Sequence, residues 1–320
     1  MAFSLGAIGA YTRQSTEPLL TSAIFGGKIQ QMIVQSGIVL TGVKSAEAIP
    51  LMESDAAFQT DACGWDPSGT TSFSQRTVTV GKIKVEEALC PKTLETSFIQ
   101  EAMRAGSTYE SFEPAAWEQA YLDRKNQRIA NQLATAIWQG DTTSGNINLN
   151  KFDGFIKLID AGSPVDANVN AFTGAGVIAT ISSSNVLTVV KAVKNAIPAA
   201  LKGMTDVVIF CGYDVYDMYV DAGVAANYFH FDFKDDSNYG GLKIPGTGIR
   251  LEADHGLDGT GDLYAFRMGN AAIAFDAEAD LENYNLWYSQ DNNEIRFRAA
   301  FKVGVNVAFT SECVKFKSAV

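Results

Sequence analysis

The sequence is poor in the residues that carry chemistry. Its 320 residues include two histidines, His230 and His255, and four cysteines, Cys63, Cys90, Cys211 and Cys313. Neither histidine has a second His, a Cys or a carboxylate cluster at metal-ligand spacing, so each reads as a structural residue. The cysteines are far apart, with no CxxC pair, and a chain of 34.4 kDa does not need stapling, so they read as reduced thiols in a cytoplasm. No stretch approaches the ~20 apolar residues of a membrane span. The start, MAFSLGAIGAYTRQS, has no Lys or Arg ahead of its apolar run, unlike a signal peptide. Basic residues are also scarce: 25 Lys and Arg face 36 Asp and Glu, a formal net charge of -11 with a pI near 4.7. That balance excludes a surface built to grip phosphates, and any contact with DNA is expected to be weak and non-specific.

The common catalytic signatures are missing as well. Gly-x-Ser-x-Gly, Walker A and HExxH do not occur. GAGVIA, residues 174–179, fits G-x-G-x-x-A, but no clear strand precedes it and no acidic residue is well placed about twenty positions on. DFKDDSNYGG (232–241) and DHGLDGTGD (254–262) concentrate carboxylates without the alternate spacing of a calcium loop, and read as solvated turns. No catalytic residue, cofactor or metal is expected.

What the chain has is architecture. With 47% hydrophobic residues it can bury one large or two moderate cores, and no repeat of 20 to 50 residues is apparent. Residues 1–38 form an arm too apolar for a disordered tail, which implies that it packs along something. Residues 39–90 read as an extended hairpin, roughly 46–85, with flanking strands; Gly81 divides Val78 and Val80 from Ile83 and Val85 as a bulge would. Such a hairpin has almost no core of its own. EPAAWEQAYLDRKNQRIANQLATAIWQGD, residues 113–141, predicts a long helix with Pro114 in its first turn, Gly140 at its end, and an apolar stripe of Trp117, Tyr121, Ile129, Leu133 and Ile137 beside Arg124, Lys125 and Arg128. From about 150 to 280 the character is α/β: a Ser-capped helix before Pro198 and Gly203, the buried strand DVVIFCG, a helix ending at Gly223, then strands IRLEAD, DLYAFRMG and AAIAFD. The chain closes, over 281–320, with a hairpin turning at Asp291–Asn293 and the strand IRFRAAFKVGVNVAF, residues 295–309. Its odd positions, including Phe297, Phe301, Val303 and Val305, are all apolar, and at ~3.3 Å per residue it would run about 50 Å.

This order of parts resembles the major capsid proteins of tailed double-stranded DNA bacteriophages with the Hong Kong 97 fold. The residues that carry the resemblance are the 113–141 helix as a spine helix, VVIFCGYDVYDMYVDAG in an axial domain, and NLWYSQDNNEIRFRAAFKVGVNVAF as closing strands of a peripheral domain. The resemblance implies an α+β fold: N-terminal arm (1–38), extended loop (39–90), peripheral domain (91–149 and 281–320) and α/β axial domain (150–280). The odd residues of 295–309 would face the spine-helix stripe. The even Arg296, Arg298 and Lys302 would face outward, free to pair with neighbours. Arm and loop would lie along neighbouring subunits, with Trp65, Phe73 and Arg76 as loop contacts.

The implied function is structural rather than enzymatic: hexamers and pentamers that self-assemble in a bacterial cytoplasm into an icosahedral shell, the virion capsid, enclosing DNA and joined by a portal and, in some members of the family, a decoration protein. Some members of the family crosslink a loop lysine to a neighbour, but between Lys44 and Lys82 this chain has no lysine, only Arg76. Some carry a long N-terminal scaffolding region, for which there is no room before the arm, so a separate scaffolding protein is implied. A nanocompartment shell of the same fold and a nucleotide-binding α/β enzyme are the alternative readings.

Overall fold

The computed structural model describes residues 19, 23–61, 63–64, 68–90, 114–167, 180–226, 241–276 and 284–318, without the side chains of 114–117. GAGVIA, His230, Trp65, the Trp117 side chain and most of DFKDDSNYGG lie outside the described residues. In chain order the elements are helix α1 (Lys28–Ser36), strands β1 (Ile38–Thr41), β2 (Ala46–Ser54), β3 (Thr71–Thr79) and β4 (Gly81–Leu89), helices α2 (Pro114–Gln139) and α3 (Phe155–Asp160), strand β5 (Val165–Asp166), helix α4 (Val186–Ala196), strand β6 (Val207–Cys211), helix α5 (Tyr213–Ala225), and strands β7 (Leu242–Lys243), β8 (Arg250–Ala253), β9 (Leu263–Arg267), β10 (Ala271–Phe275), β11 (Asn285–Ser289), β12 (Glu294–Val307) and β13 (Val314–Phe316).

The 14-residue β12 organises the first of two units. It pairs with β4 along one edge and with β10 and β11 along its length, and β1 adds parallel to β10. Its period-two alternation buries every odd residue from Ile295 to Val307, Phe301 at 2% exposure among them. Each buried Ile, Phe or Val among them contributes about 1.5–3 kcal/mol. Helix α2 lies on this face: Tyr121 meets Phe297 edge-on, with ring centroids 5.9 Å apart, and Ile129, Leu133 and Ile137 join the same core. The strand ends at Val307, two residues before 309, because Asn270 captures the chain there: its carbonyl accepts from Ala308 N (2.9 Å) and its side-chain oxygen from Phe309 N (2.6 Å). At the other end, the turn into β12 is made by Asn293 in the left-handed region, φ 53°.

The even face of β12 is only in part the outward surface that the alternation suggests: Arg296 and Arg298 reach solvent, but the face is covered from Lys302 onward. Lys302 is bound at 2.7 Å by Asp276 of the same chain, a carboxylate only 2% exposed. Arg298 and Arg296 meet Glu86 and Glu294. Beyond Lys302 both faces are covered. A Cβ on Gly304 would stand 2.2 Å from the Thr79 carbonyl oxygen, and the buried Asn306 donates to Thr77 O at 2.7 Å.

What covers it is the base of the β2–β3 ribbon. The hairpin spans 46–79 rather than 46–85, and Gly81 is not a bulge within one strand. The chain passes there from the ribbon to the main sheet, and a Cβ at Gly81 would lie 2.1 Å from Lys151 O. A side chain would need the 151 loop to move, so the crossing requires glycine.

The arm is also corrected. Leu19, Ala23, Ile24, Ile29, Met32 and Ile33 are buried in the core of α2 and β12, so these residues of the arm belong to the subunit's own interior. Asn126 of α2 ties Leu19 down through its carbonyl (3.0 Å) and accepts from the Tyr284 hydroxyl at 2.7 Å.

The second unit is a six-stranded sheet among the described residues, in the order β5-β13-β9-β6-β8-β7, with α4 and α5 sharing its core. Two segments cross the boundaries read from sequence: 271–275 is β10 of the first sheet, and 314–316 is β13 of the second. Asn185, not a serine, precedes α4, and Gly223 lies inside α5. The units are joined by Trp138 at the end of α2, whose ring sits 5.2 Å from Phe210 and 5.5 Å from Phe155. Gly256 packs under it so closely that a Cβ would be 2.2 Å from the indole. DHGLDGTGD is therefore no solvated turn throughout: its Asp254 is buried and accepts from Gly256 N (2.8 Å) and Ile29 N (3.2 Å).

Candidate assembly surfaces

Among the described residues no group of three or more His, Cys, Asp or Glu could hold a metal, and no helix is long and apolar enough to cross a membrane. His255 stacks on Tyr213 at 4.4 Å and pairs with Asp258 through Nδ1 at 2.7 Å. Cys63 and Cys90 are exposed, and Cys211 and Cys313 are buried. Burial pushes the Cys211 thiol above the ordinary range and the Cys313 thiol up to about 12, so neither is poised as a nucleophile. The surfaces of interest are those that leave an apolar or a charged face without a partner.

The first is the ribbon. At its base Ile49 and Val78 pack with Val43, Ala272 and Ala274 in a small core of their own. Arg76 staples that base. Its guanidinium donates to Asn306 Oδ1 (3.2 Å), Thr310 Oγ1 (3.5 Å) and Leu158 O (3.4 Å), all of the same chain, so its charge is engaged internally rather than held out for a neighbour. Beyond the base the described ribbon residues are almost all exposed. Met52 and Phe73 are cross-strand partners and stand 62% and 78% exposed, and Phe58 is wholly exposed. Exposed aromatic and methionine side chains clustered on one element mark an interaction surface. The ribbon is also acidic: between Lys44 and Lys82 it carries Glu47, Glu53, Asp55, Asp61 and Asp66 against Arg76 alone.

The second is a groove of about 770 Å³ between α2 and β4. Lys82, Lys84, Lys125, Arg128 and Lys151 line it over a floor that includes Ile83, Ile129 and Leu133, with Asn131, Gln132 and Asn148 as neutral donors. Among the described residues no carboxylate lines it. At its rim Lys125 pairs with Glu87, which also accepts from the Tyr121 hydroxyl at 2.6 Å. Burial works against the Glu87 charge, but Lys125 and Tyr121 outweigh it and hold the carboxyl below its ordinary range. Burial, and then that carboxylate, push the Tyr121 hydroxyl up. Tyr121 is thus both a core ring and a polar link between helix and sheet.

Of the stripe read from sequence, Ile129, Leu133 and Ile137 are buried, Tyr121 is half-buried, and Phe297, Phe301, Val303 and Val305 oppose them across the core. Phe73 lies on the exposed ribbon. The reading missed Leu122, Asn126 and Trp138, because the buried face of α2 is wider than one i, i+4 line and includes the next residue round the helix. It also missed Asp276, whose partnership with Lys302 no spacing rule encodes.

Neither a protein-family model nor a curated protein sequence matches the chain significantly. Solved structures do. A chain of the satellite phage P4 procapsid including size determination (Sid) protein superposes with a TM-score of 0.59 at 11% identity, covering 95% of this chain and 92% of that one. The capsid of an empty GTA particle gives 0.54 at 13% identity, with 90% of each chain covered. The capsid of cyanophage A-1(L) gives 0.53 at 13% identity, covering 92% and 94%. At such identities the likeness is one of fold, and it runs the length of the chain: this α+β chain has the fold of phage capsid proteins.

Proposed function

We propose that this chain is the major capsid protein of a tailed bacteriophage, with the Hong Kong 97 arrangement of a spine helix on a long sheet, an α/β axial unit and an extended loop. Copies assemble as hexamers and pentamers into an icosahedral virion capsid around double-stranded DNA, within the host bacterial cytoplasm. The observation that carries the reading is the end-to-end likeness to capsid chains, 95% of this chain against 92% of the P4 procapsid chain. The ribbon supports it: an arm of nine-residue strands that holds Met52, Phe58 and Phe73 exposed fits a role across an adjacent subunit. The acidic net charge suits a container wall from which DNA must leave again. A portal and a separate scaffolding protein, with a decoration protein as an optional addition, complete the assembly, and no enzymatic step is assigned to the chain. Negative-stain microscopy of the expressed protein, with nucleic-acid analysis of the purified particles, tests this. Closed shells, alone or around DNA when co-expressed with packaging partners, are expected; shells filled with a cargo enzyme would make it a nanocompartment, and a monomer that never assembles would overturn the reading.

A further inference from the structure

The groove between α2 and β4 runs against the charge of the molecule. In a chain of net charge -11, five cations line it, and among the described residues no carboxylate does. Lys84 and Lys125 pair with Glu86 and Glu87, which stand outside it. Lys82 on the strand wall, Arg128 on the helix wall and Lys151 on the loop against Gly81 are exposed and have no ion pair among the described residues. An unpaired cation is unexpected where 36 carboxylates face 25 Lys and Arg. The rest of the wetted lining is neutral and able to donate, through the exposed amides of Asn131, Gln132 and Asn148. The floor offers little to an apolar partner: Ile129, Leu133 and Phe301 are already 7%, 3% and 2% exposed, and of the apolar lining only Ile147 stands exposed.

We propose that this groove is a seat for the phosphate backbone of nucleic acid, and that this face of the subunit looks onto the packaged DNA. The proposal rests on the shell reading above and names the surface by which the wall meets its contents. A phosphodiester brings negative charge and acceptor oxygens, and the groove supplies cations and donors. The lining presents no aromatic platform for a base to stack on, so the contact reads charge and not sequence. Lys82 and Lys84, two residues apart on a strand, lie about 6.6 Å apart along it, while a duplex carries one charge per roughly 1.7 Å of axis. Phosphates are therefore within reach wherever the duplex sits. The carboxylates elsewhere on the molecule repel the same polyanion, which makes the contact local, weak and sensitive to salt.

The test is the anisotropy of a short fluorescent duplex of arbitrary sequence titrated with the full chain. Releasing counterions at three unpaired cations should weaken the parent's binding about 40-fold between about 50 and 200 mM salt. Arg128→Gln with Lys151→Gln leaves one such cation and should reduce that response to roughly 3–4-fold. Both side chains are exposed, so melting and shell formation should match the parent, and Arg128→Lys with Lys151→Arg should keep the parent's salt response. In purified particles Lys82 and Lys151 should react several-fold more slowly with an amine-reactive label when the shell is filled with DNA than when it is empty. A parent chain that does not bind duplex overturns the proposal, as does a double-Gln variant with the parent's salt response, or equal labelling of filled and empty particles. If the double-Gln subunit melts as the parent does but no longer assembles, the groove seats an acidic protein segment and the proposal fails. Negative staining scores shells separately: a parent that never assembles removes the shell reading, while the duplex titration still decides the groove.

Discussion

Lys302→Met isolates the most consequential departure from simple alternation. Lys302 and Asp276 are 2.7 Å apart, with side chains 19% and 2% exposed, so the substitution strands a carboxylate that water hardly reaches. Removing one partner of a buried pair costs about 3–5 kcal/mol. Unfolding entropy of about 2.1 cal/mol/K per residue makes each kcal/mol worth roughly 1.5 °C for a chain of this length, so the unassembled subunit should melt about 4–7 °C lower by calorimetry. Lys302→Met combined with Asp276→Leu removes both charges and should recover most of the loss, because replacing a buried pair by apolar groups is often close to neutral. Arg298→Met is the control. It lies on the same face of β12, but its partner Glu86 is 3.7 Å away and about half exposed, which is worth less than about 1 kcal/mol. If Lys302→Met melts within a degree of the parent, the Asp276 site is wet and the covered-face argument is wrong.

On the opposite face, Phe301→Asp puts a carboxylate among Phe297, Ile83 and the α2 stripe and should cost several kcal/mol, giving insoluble subunits; a soluble, assembling variant would remove the basis for the core assignment. Deleting residues 1–36 should abolish soluble expression, because Ile29, Met32 and Ile33 leave the core with them; a folded truncated subunit by circular dichroism would refute that. Gly256→Ala forces a methyl against Trp138 and should cost about 1–3 kcal/mol, read as a lower melting temperature and altered tryptophan fluorescence. The acid limb of stability should depend on Lys157, which, with Thr143, holds the Asp141 carboxyl down to about 2. A depressed carboxylate stabilises the fold above its ordinary value near 3.8, and that contribution fades as pH falls through about 2, so Lys157→Met should shift acid unfolding to higher pH, and an unchanged acid titration would sink the assignment. Particles boiled in detergent should run as one band near 34.4 kDa, since the ribbon has no lysine to crosslink; a covalent ladder would contradict this.

Sequence by itself fixed the elements whose pattern is local. Period-two alternation in 295–307 specified the long strand and its buried parity, and period 3.6 with Pro114 and Gly140 specified the helix within two residues of its ends. The order of those elements was enough to find the fold. Tertiary structure alone decided which faces are free. The even face of β12 looks wet in sequence because Lys302 and Asn306 are polar, but pairing across long separations puts Asp276 on one and the ribbon base on the other. Gly81 looks like a bulge because a local pattern cannot distinguish a register shift from a passage between sheets. The groove was invisible for the same reason: Lys82 and Lys84 on a strand, Lys125 and Arg128 on a helix and Lys151 on a loop are unremarkable separately, and only the packing of α2 on the sheet gathers their charges on one acidic molecule.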